Sequence, residues 1–288
     1  MLATSPIPIL VNAQWLDDNR HLDTVKILDA TSHLPTLGRN ANDEHIACRI
    51  AGSGRFDIDQ IADKSSSLPH TLPSAAVFQE QMQQLGLSND DHVIVYCDSV
   101  FLSSARAWWM LRLFGHARVS VLDGGLKVWQ AINGATDKGA YSETQPETIG
   151  NFTVRPSVGA QVIPMDSLRH MVQNDVAGQI ADARSPGRFA GVDAEPRAGL
   201  RAGHIPGSSN VPIASLIGDN GGMRSLDEIA AAFADGGINT ERPVITSCGS
   251  GVTACGLALG LALLGNENVF VYDGSWSEWG ASDAPIAR

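Results

Sequence analysis

The sequence predicts an α/β protein of two tandem domains, each a parallel sheet flanked by helices on both faces. Three observations predict it. The chain has 288 residues, enough for two cores of ordinary size. Its halves repeat one another. Val25-Lys-Ile-Leu-Asp-Ala30 resembles Gln179-Ile-Ala-Asp-Ala-Arg184, and Ile50-Ala-Gly-Ser53 resembles Ile205-Pro-Gly-Ser208. Val93-Ile-Val-Tyr-Cys97 resembles Val244-Ile-Thr-Ser-Cys248. Val119-Ser-Val-Leu-Asp-Gly-Gly125 resembles Val269-Phe-Val-Tyr-Asp-Gly-Ser275, which sets Trp129 opposite Trp279. Four matches in one order, at offsets of about 150 residues, mark a duplication. Within each half, short β-branched runs alternate with helical patterns, the signature of a parallel sheet with crossover helices.

In the first half, VKILDA (25–30), VIVYC (93–97) and VSVLDG (119–124) are apolar and unalternating, as strands buried on both faces must be. Ala75–Leu85 and Ser104–Leu113 carry helical periodicity. In the second half the strands are QIADAR (179–184), PVITSC (243–248) and VFVYDG (269–274). Its helices are Pro164–Gln173, opened by the proline, Leu226–Ala234, and Thr253–Leu264, closed by Gly265. The Gly/Thr/Ser/Pro-rich stretch between them gives domains at 1–136 and 158–288 with a linker at 137–157.

A net charge of −11 argues against nucleic-acid and anionic-membrane partners, which need a basic face. It leaves room for a small anion, because a local pair of arginines overrides the global balance. The N-terminus has no basic segment leading an apolar run, and no stretch reaches the roughly 20 apolar residues of a membrane span. These features point to the cytoplasm. The four cysteines, Cys48, Cys97, Cys248 and Cys255, form no CxxC pair, so neither a zinc site nor any other metal is expected, and the thiols are expected to be reduced.

Ser247-Cys-Gly-Ser-Gly-Val-Thr-Ala254 joins a predicted strand to a predicted helix N-terminus. In parallel sheets ligands bind beyond the carboxyl ends of the strands, and Cys97 and Cys248 both sit there. Two glycines in four residues let successive N–H groups turn inward as an anion-binding nest, to which the helix adds its positive dipole end. A cysteine in that place is set up as the nucleophilic thiolate. The same pattern also suits a buried structural cysteine on a tight turn. A phosphatase-type loop is excluded, since it needs an arginine about six residues after the cysteine, where this chain has Thr253-Ala254.

CGSGVTA (248–254), GHIPGSSNVP (203–212), DGSWSEWG (273–280), EPR (195–197), RAWWMLR (106–112) and SSLPHTLP (66–73) together resemble the rhodanese superfamily in its two-domain form. Within it, Gly249-Ser250 is similar to the mercaptopyruvate-using sulfurtransferases, since thiosulfate-preferring members carry Arg-Lys there. The resemblance implies two rhodanese-like domains and a cofactor-free enzyme. It would take sulfur from a small keto acid, 3-mercaptopyruvate, onto Cys248 as a persulfide. The acceptor would be cyanide or a thiol such as thioredoxin or a small thiol. Arg188 and Arg197 match the family's carboxylate-binding positions. Ser250 matches a hydroxyl beside the nucleophile, His70 the histidine that approaches it, and Asp59 the carboxylate that orients the histidine, with Asp57 and Asp63 as neighbours able to replace it. Gly249, Gly251, Val252 and Thr253 complete the substrate-binding loop. Arg184 and Arg201 carry less weight, Cys255 is expected to be buried and inert, and Trp276 and Trp279 to pack near the domain interface, with Trp276 able to border the site. A thiosulfate sulfurtransferase, or a non-catalytic module that holds a persulfide or anion, are the competing expectations.

The first half departs from the pattern. Cys97 is followed by Asp98 and a glycine-free loop to Ala105, so it is expected to be vestigial. The HIPGA-like motif of this half reads Cys48-Arg-Ile-Ala-Gly-Ser-Gly54, without its proline and with Arg55 where an aromatic is common.

Overall fold

The computed structural model describes residues 7–98, 102–139 and 149–288. In the first half the elements run β1 (Leu10–Val11), α1 (Ala13–Asn19), β2 (Val25–Asp29), α2 (Ala41–Ala47), β3 (Arg49–Ile50), β4 (Gly54–Arg55) and α3 (Ile58–Ile61). They continue with α4 (Ala75–Gln84), β5 (His92–Tyr96), α5 (Ser104–Leu113), β6 (Val119–Leu122), α6 (Gly125–Ala131) and β7 (Thr136–Asp137). The second half holds β8 (Gln161–Ile163), α7 (Met165–Gln173), β9 (Gln179–Asp182), α8 (Pro186–Phe189) and β10 (Ser208–Asn210). After these come α9 (Leu226–Asp235), β11 (Val244–Ser247), α10 (Val252–Leu263), β12 (Val269–Tyr272) and α11 (Ser275–Trp279).

Two five-stranded parallel sheets result, ordered β1-β6-β5-β2-β4 and β8-β12-β11-β9-β10. Matched strand for strand, the orders are the same, so the repeat in sequence is a repeat in topology. Side chains from Asn12, Asn40, Asp57 and Ser74 cap the starts of α1 to α4, and Ser225 with Glu228 forms a capping box on α9. Gly265, at φ +85°, follows the end of α10 in the left-handed conformation.

One apolar core spans both halves, with α5 (Ala105, Trp109, Leu111) and α10 (Ala254, Leu257, Leu261) buried in it. Each sheet turns its other face to a smaller cluster of its own, around Trp129 in the first half and around Trp276 and Trp279 in the second. The two tryptophans of α11 therefore pack on the outer face of their own sheet, away from the domain interface where sequence reasoning put them. Aromatic bulk at a strand-to-helix turn fits either face, and the sequence does not distinguish them. Of the predicted linker, residues 149–155 run along the first half: Phe152 is fully buried, and Arg155 N–H donates to the Phe114 carbonyl at 3.1 Å.

His92 and His116 lie buried in the first half, His92 with Nε2 at 2.8 Å from Ser120 Oγ. Burial pushes each imidazole down to about 4, from an ordinary 6.5. In the unfolded chain both take a proton near 6.5, while the folded protein refuses it until about 4. Stability is therefore expected to fall as pH drops through that window, by about 1–3 kcal/mol per histidine. Urea midpoints at pH 7 and pH 5 check this, and His116→Gln should shrink the difference. An unchanged difference in His116→Gln refutes it for that residue.

Candidate active site

The cysteine loop leaves the end of β11 and enters α10 through Gly251, whose φ of +82° is open to glycine and strained for other residues. A Cβ there would lie 2.6 Å from the Asp273 carbonyl oxygen. Gly251 N–H donates to Cys248 Sγ at 3.1 Å, so the first turn of α10 aims a backbone donor at the sulfur. Ser275, in the left-handed region at φ +48°, holds this arrangement from below. Its Oγ accepts from the N–H groups of Cys248 and Gly251, each at 3.1 Å, and donates to the Tyr272 carbonyl at 2.8 Å. Trp276 N–H and Ser277 N–H bind the carbonyls of Cys248 and Gly249, both at 2.9 Å. Sequence reasoning missed Ser275, although the repeat set it opposite Gly125, which has φ +57°. A serine held where its counterpart is a left-handed glycine was the available signal.

Cys248 is only 1% exposed and forms part of the floor of a cavity of about 310 Å³. Gly249, Ser250, Val252, Thr253, Arg188, Arg197 and His70 line it, while Gly251 sits beneath the sulfur. Ser32, His33 and Leu34 of the first half also line it, and sequence reasoning missed them. Their place beyond the carboxyl end of β2 was the clue.

His70 reaches across from the first half. Its Nδ1 lies 3.0 Å from Ser250 Oγ and its Nε2 3.1 Å from Asp59 Oδ1. With the ring hydrogen on Nε2, Ser250 donates to Nδ1 and Asp59 accepts from the opposite nitrogen. The His70 hydrogen bond holds the Asp59 carboxyl below the ordinary carboxylate range. The neighbouring carboxylates are occupied locally: Asp57 caps α3, and Asp63 accepts from Ser65 N–H and Oγ.

The arginines divide in two. Arg184 is buried, paired with Asp182 at 2.8 Å and Glu195 at 2.8 Å, and lies over the Trp276 ring. Arg201 donates to the carbonyls of Trp279, Gly280 and Ala284. Both brace the loops. Arg188 faces the cavity but is tied to Glu195 at 2.5 Å. Arg197 also faces the cavity and has no hydrogen bond or ion pair among the described residues, so its guanidinium is open to an anion. Burial lowers the Arg197 pKa, the charge of Cys248 opposes that, and Arg188 adds to it. An anion bound between the two guanidiniums would relieve their mutual repulsion.

In the first half Cys97 is buried, with Sγ 3.3 Å from Ser104 Oγ, and Asp98 pairs with Arg39 at 2.9 Å. Residues 99–101 of its loop lie outside the described residues. Cys255 is fully buried on α10, and burial pushes its thiol up to about 12.

A duplicated parallel α/β unit with a cysteine at a strand-to-helix turn of its second copy defines a class, and the comparisons agree with it. The Rhodanese-like domain family matches residues 12–132 and again 165–282, and the chain belongs to that family. It is 41% identical to the 3-mercaptopyruvate sulfurtransferase of Escherichia coli (strain K12) over 278 residues, 96% of each chain. It is 36% identical to the thiosulfate sulfurtransferase of Rattus norvegicus, covering 97% of this chain and 94% of that one. The crystal structure of SseA from Escherichia coli, described as a 3-mercaptopyruvate sulfotransferase with the rhodanese fold, superposes with a TM-score of 0.83 at 37% identity. That match covers 93% of this chain and 98% of the other.

Proposed function

We propose that this protein is a sulfurtransferase that takes sulfur from 3-mercaptopyruvate onto Cys248 and passes it to a thiol. The observation that carries the reading is one cavity holding a cysteine sulfur under a helix N–H, an uncommitted Arg197 and a hydroxyl hydrogen-bonded to His70. Arg197 and Arg188 would hold the substrate carboxylate. The Cys248 thiolate attacks the substrate sulfur, forming an S–S bond as the C–S bond breaks. The electron pair of the broken bond goes to carbon, giving the enolate of pyruvate. Through Ser250 and His70 the substrate's thiol proton reaches that carbon, leaving a persulfide anion whose charge the Gly251 N–H stabilises. An acceptor thiolate then attacks the outer sulfur and restores Cys248. Thioredoxin or a small thiol would serve in a reducing compartment such as the cytoplasm, with cyanide as an assay acceptor.

The Ser250–His70 relay favours a keto-acid donor. An enolate needs a proton, whereas sulfite leaving thiosulfate does not. Purified protein is expected to release pyruvate from mercaptopyruvate more efficiently than sulfite from thiosulfate. The reverse ranking would make it a thiosulfate sulfurtransferase, and no turnover with either donor would leave a sulfur- or anion-binding module. The division of the chain at 137–157 is likewise our inference, supported by the place of that stretch in the sequence, after the strands of one five-stranded sheet and before those of the other.

Arg197→Ala is expected to raise the mercaptopyruvate KM about 10- to 100-fold, the worth of a charge-assisted hydrogen-bonded pair, with thiosulfate less affected. Arg188→Ala should raise it less, because part of that guanidinium is already engaged by Glu195. Steady-state kinetics on both donors check the ranking, and wild-type constants in both variants refute the carboxylate anchor.

A further inference from the structure

We infer that Arg106 and Asp273 form a buried latch between the domains that positions His70 against Ser250. Arg106, on α5 of the first half, is fully buried, and its guanidinium lies over the Trp109 ring. Its Nη2 is 2.6 Å from Asp273 Oδ1 and donates to the His70 carbonyl at 2.7 Å. The other oxygen of Asp273 accepts from Leu72 N–H at 2.9 Å. One ion pair thus grips the histidine segment on both sides, at the carbonyl of residue 70 and the N–H of residue 72.

That grip answers a specific need. His70 has φ +60°, a left-handed conformation unfavourable for a residue with a Cβ, so its backbone needs outside support to stay there. Asp59 cannot supply this alone, since its side chain is 67% exposed. The second half of the device is the position of Asp273. It stands two residues before Ser275, whose hydroxyl holds the N–H groups of Cys248 and Gly251. The Asp273 carbonyl also packs where a side chain on Gly251 would lie. One carboxylate residue is therefore in contact with both the relay segment and the nucleophile loop. A pair that only joined the domains would need no bonds to the relay backbone, and apolar packing serves joining equally well.

Arg106 and Asp273 are positioning residues, and their role rests on the relay proposed above. Arg106→Lys keeps the charge, but its side chain is one atom shorter, so its ammonium stops short of the place that Nη2 holds between Asp273 and the His70 carbonyl. Asp273→Asn keeps the shape and weakens the pair. In each folded variant, mercaptopyruvate kcat is expected to fall about 10- to 100-fold with KM within about twofold. Alkylation of Cys248 by iodoacetamide should keep its rate. His70→Ala should cost little more in the Arg106→Lys background. The His70 imidazole signals in 1H–15N spectra, assigned with His70→Ala, should shift in position. Unmoved His70 signals with wild-type kcat in both variants overturn the inference, as does unfolding of both, which would make the pair purely structural. If His70→Ala alone leaves kcat intact, the relay reading fails separately, and the His70 spectrum by itself decides the latch.

Discussion

Cys248→Ser is expected to lower pyruvate release from mercaptopyruvate by at least about 10⁴-fold while the protein stays folded. The hydroxyl would occupy the same buried place at the head of α10 and still accept the Gly251 N–H, so thermal stability should hardly change. The chemistry cannot survive, because serine neither ionises readily at neutral pH nor forms a persulfide. Two cysteines serve as controls. Cys255 is buried two residues beyond Thr253 with its thiol pushed up to about 12, and so offers almost no thiolate. Cys97 holds the matching place in the first half, but its sulfur lies against Ser104 Oγ. After treatment with donor, the intact wild-type mass should rise by one sulfur atom, and peptide mapping should place it on Cys248. Cys97→Ser and Cys255→Ser should keep that label. Turnover in Cys248→Ser, or sulfur mapped to either control cysteine, would refute the assignment.

The central strands were legible because burial on both faces leaves a continuous apolar run: all five residues of His92–Tyr96 are buried, and so are all four of Val244–Ser247. The edge strands were not. Gly54–Arg55 and Ser208–Asn210 have two and three partly exposed residues, too short for a period and with no apolar face to declare. They exist because a neighbouring strand offers them a ladder. The helix α10 was readable to within a residue at each end, since Gly251 and Gly265 bracket it. The site divides in the same way. The cysteine loop is local, and its glycines announce its geometry. The approach of His70 to Ser250 joins residues 180 positions apart, so only a resemblance to known proteins suggested it. Nothing in the sequence separates Arg188, tied to Glu195, from Arg197, left open, because that depends on which carboxylate the folded loop brings near. RAWWMLR stood out as a motif, yet Arg106 became meaningful only once Asp273 and the His70 carbonyl were seen around it.

Gly251→Ala carries the other large expected effect, and it should strike stability and chemistry together. At φ +82° an alanine costs about 1–2 kcal/mol from the left-handed conformation alone. Its Cβ would also stand 2.6 Å from the Asp273 carbonyl oxygen and 3.2 Å from Arg106 Nη1. Neither neighbour yields easily, since one is backbone and the other is fixed in a buried ion pair. The total expected loss is about 2–4 kcal/mol, visible as a drop of several degrees in Tm. Relief of the clash must move the loop and carry the Gly251 N–H off the Cys248 sulfur. Losing a donor aimed at developing negative charge lowers kcat by about 10²- to 10³-fold. Gly249→Ala is the discriminating control. The three atoms nearest to a Cβ there all belong to the end of Arg188, Nη2 at 3.0 Å, a side chain that faces the cavity, so the fold should tolerate it and the change should fall on KM. Calorimetry and donor kinetics on the two variants separate the roles. If Gly251→Ala keeps its melting temperature and wild-type kcat, or if Gly249→Ala is damaged as severely, then the left-handed turn is not what presents the N–H to the sulfur.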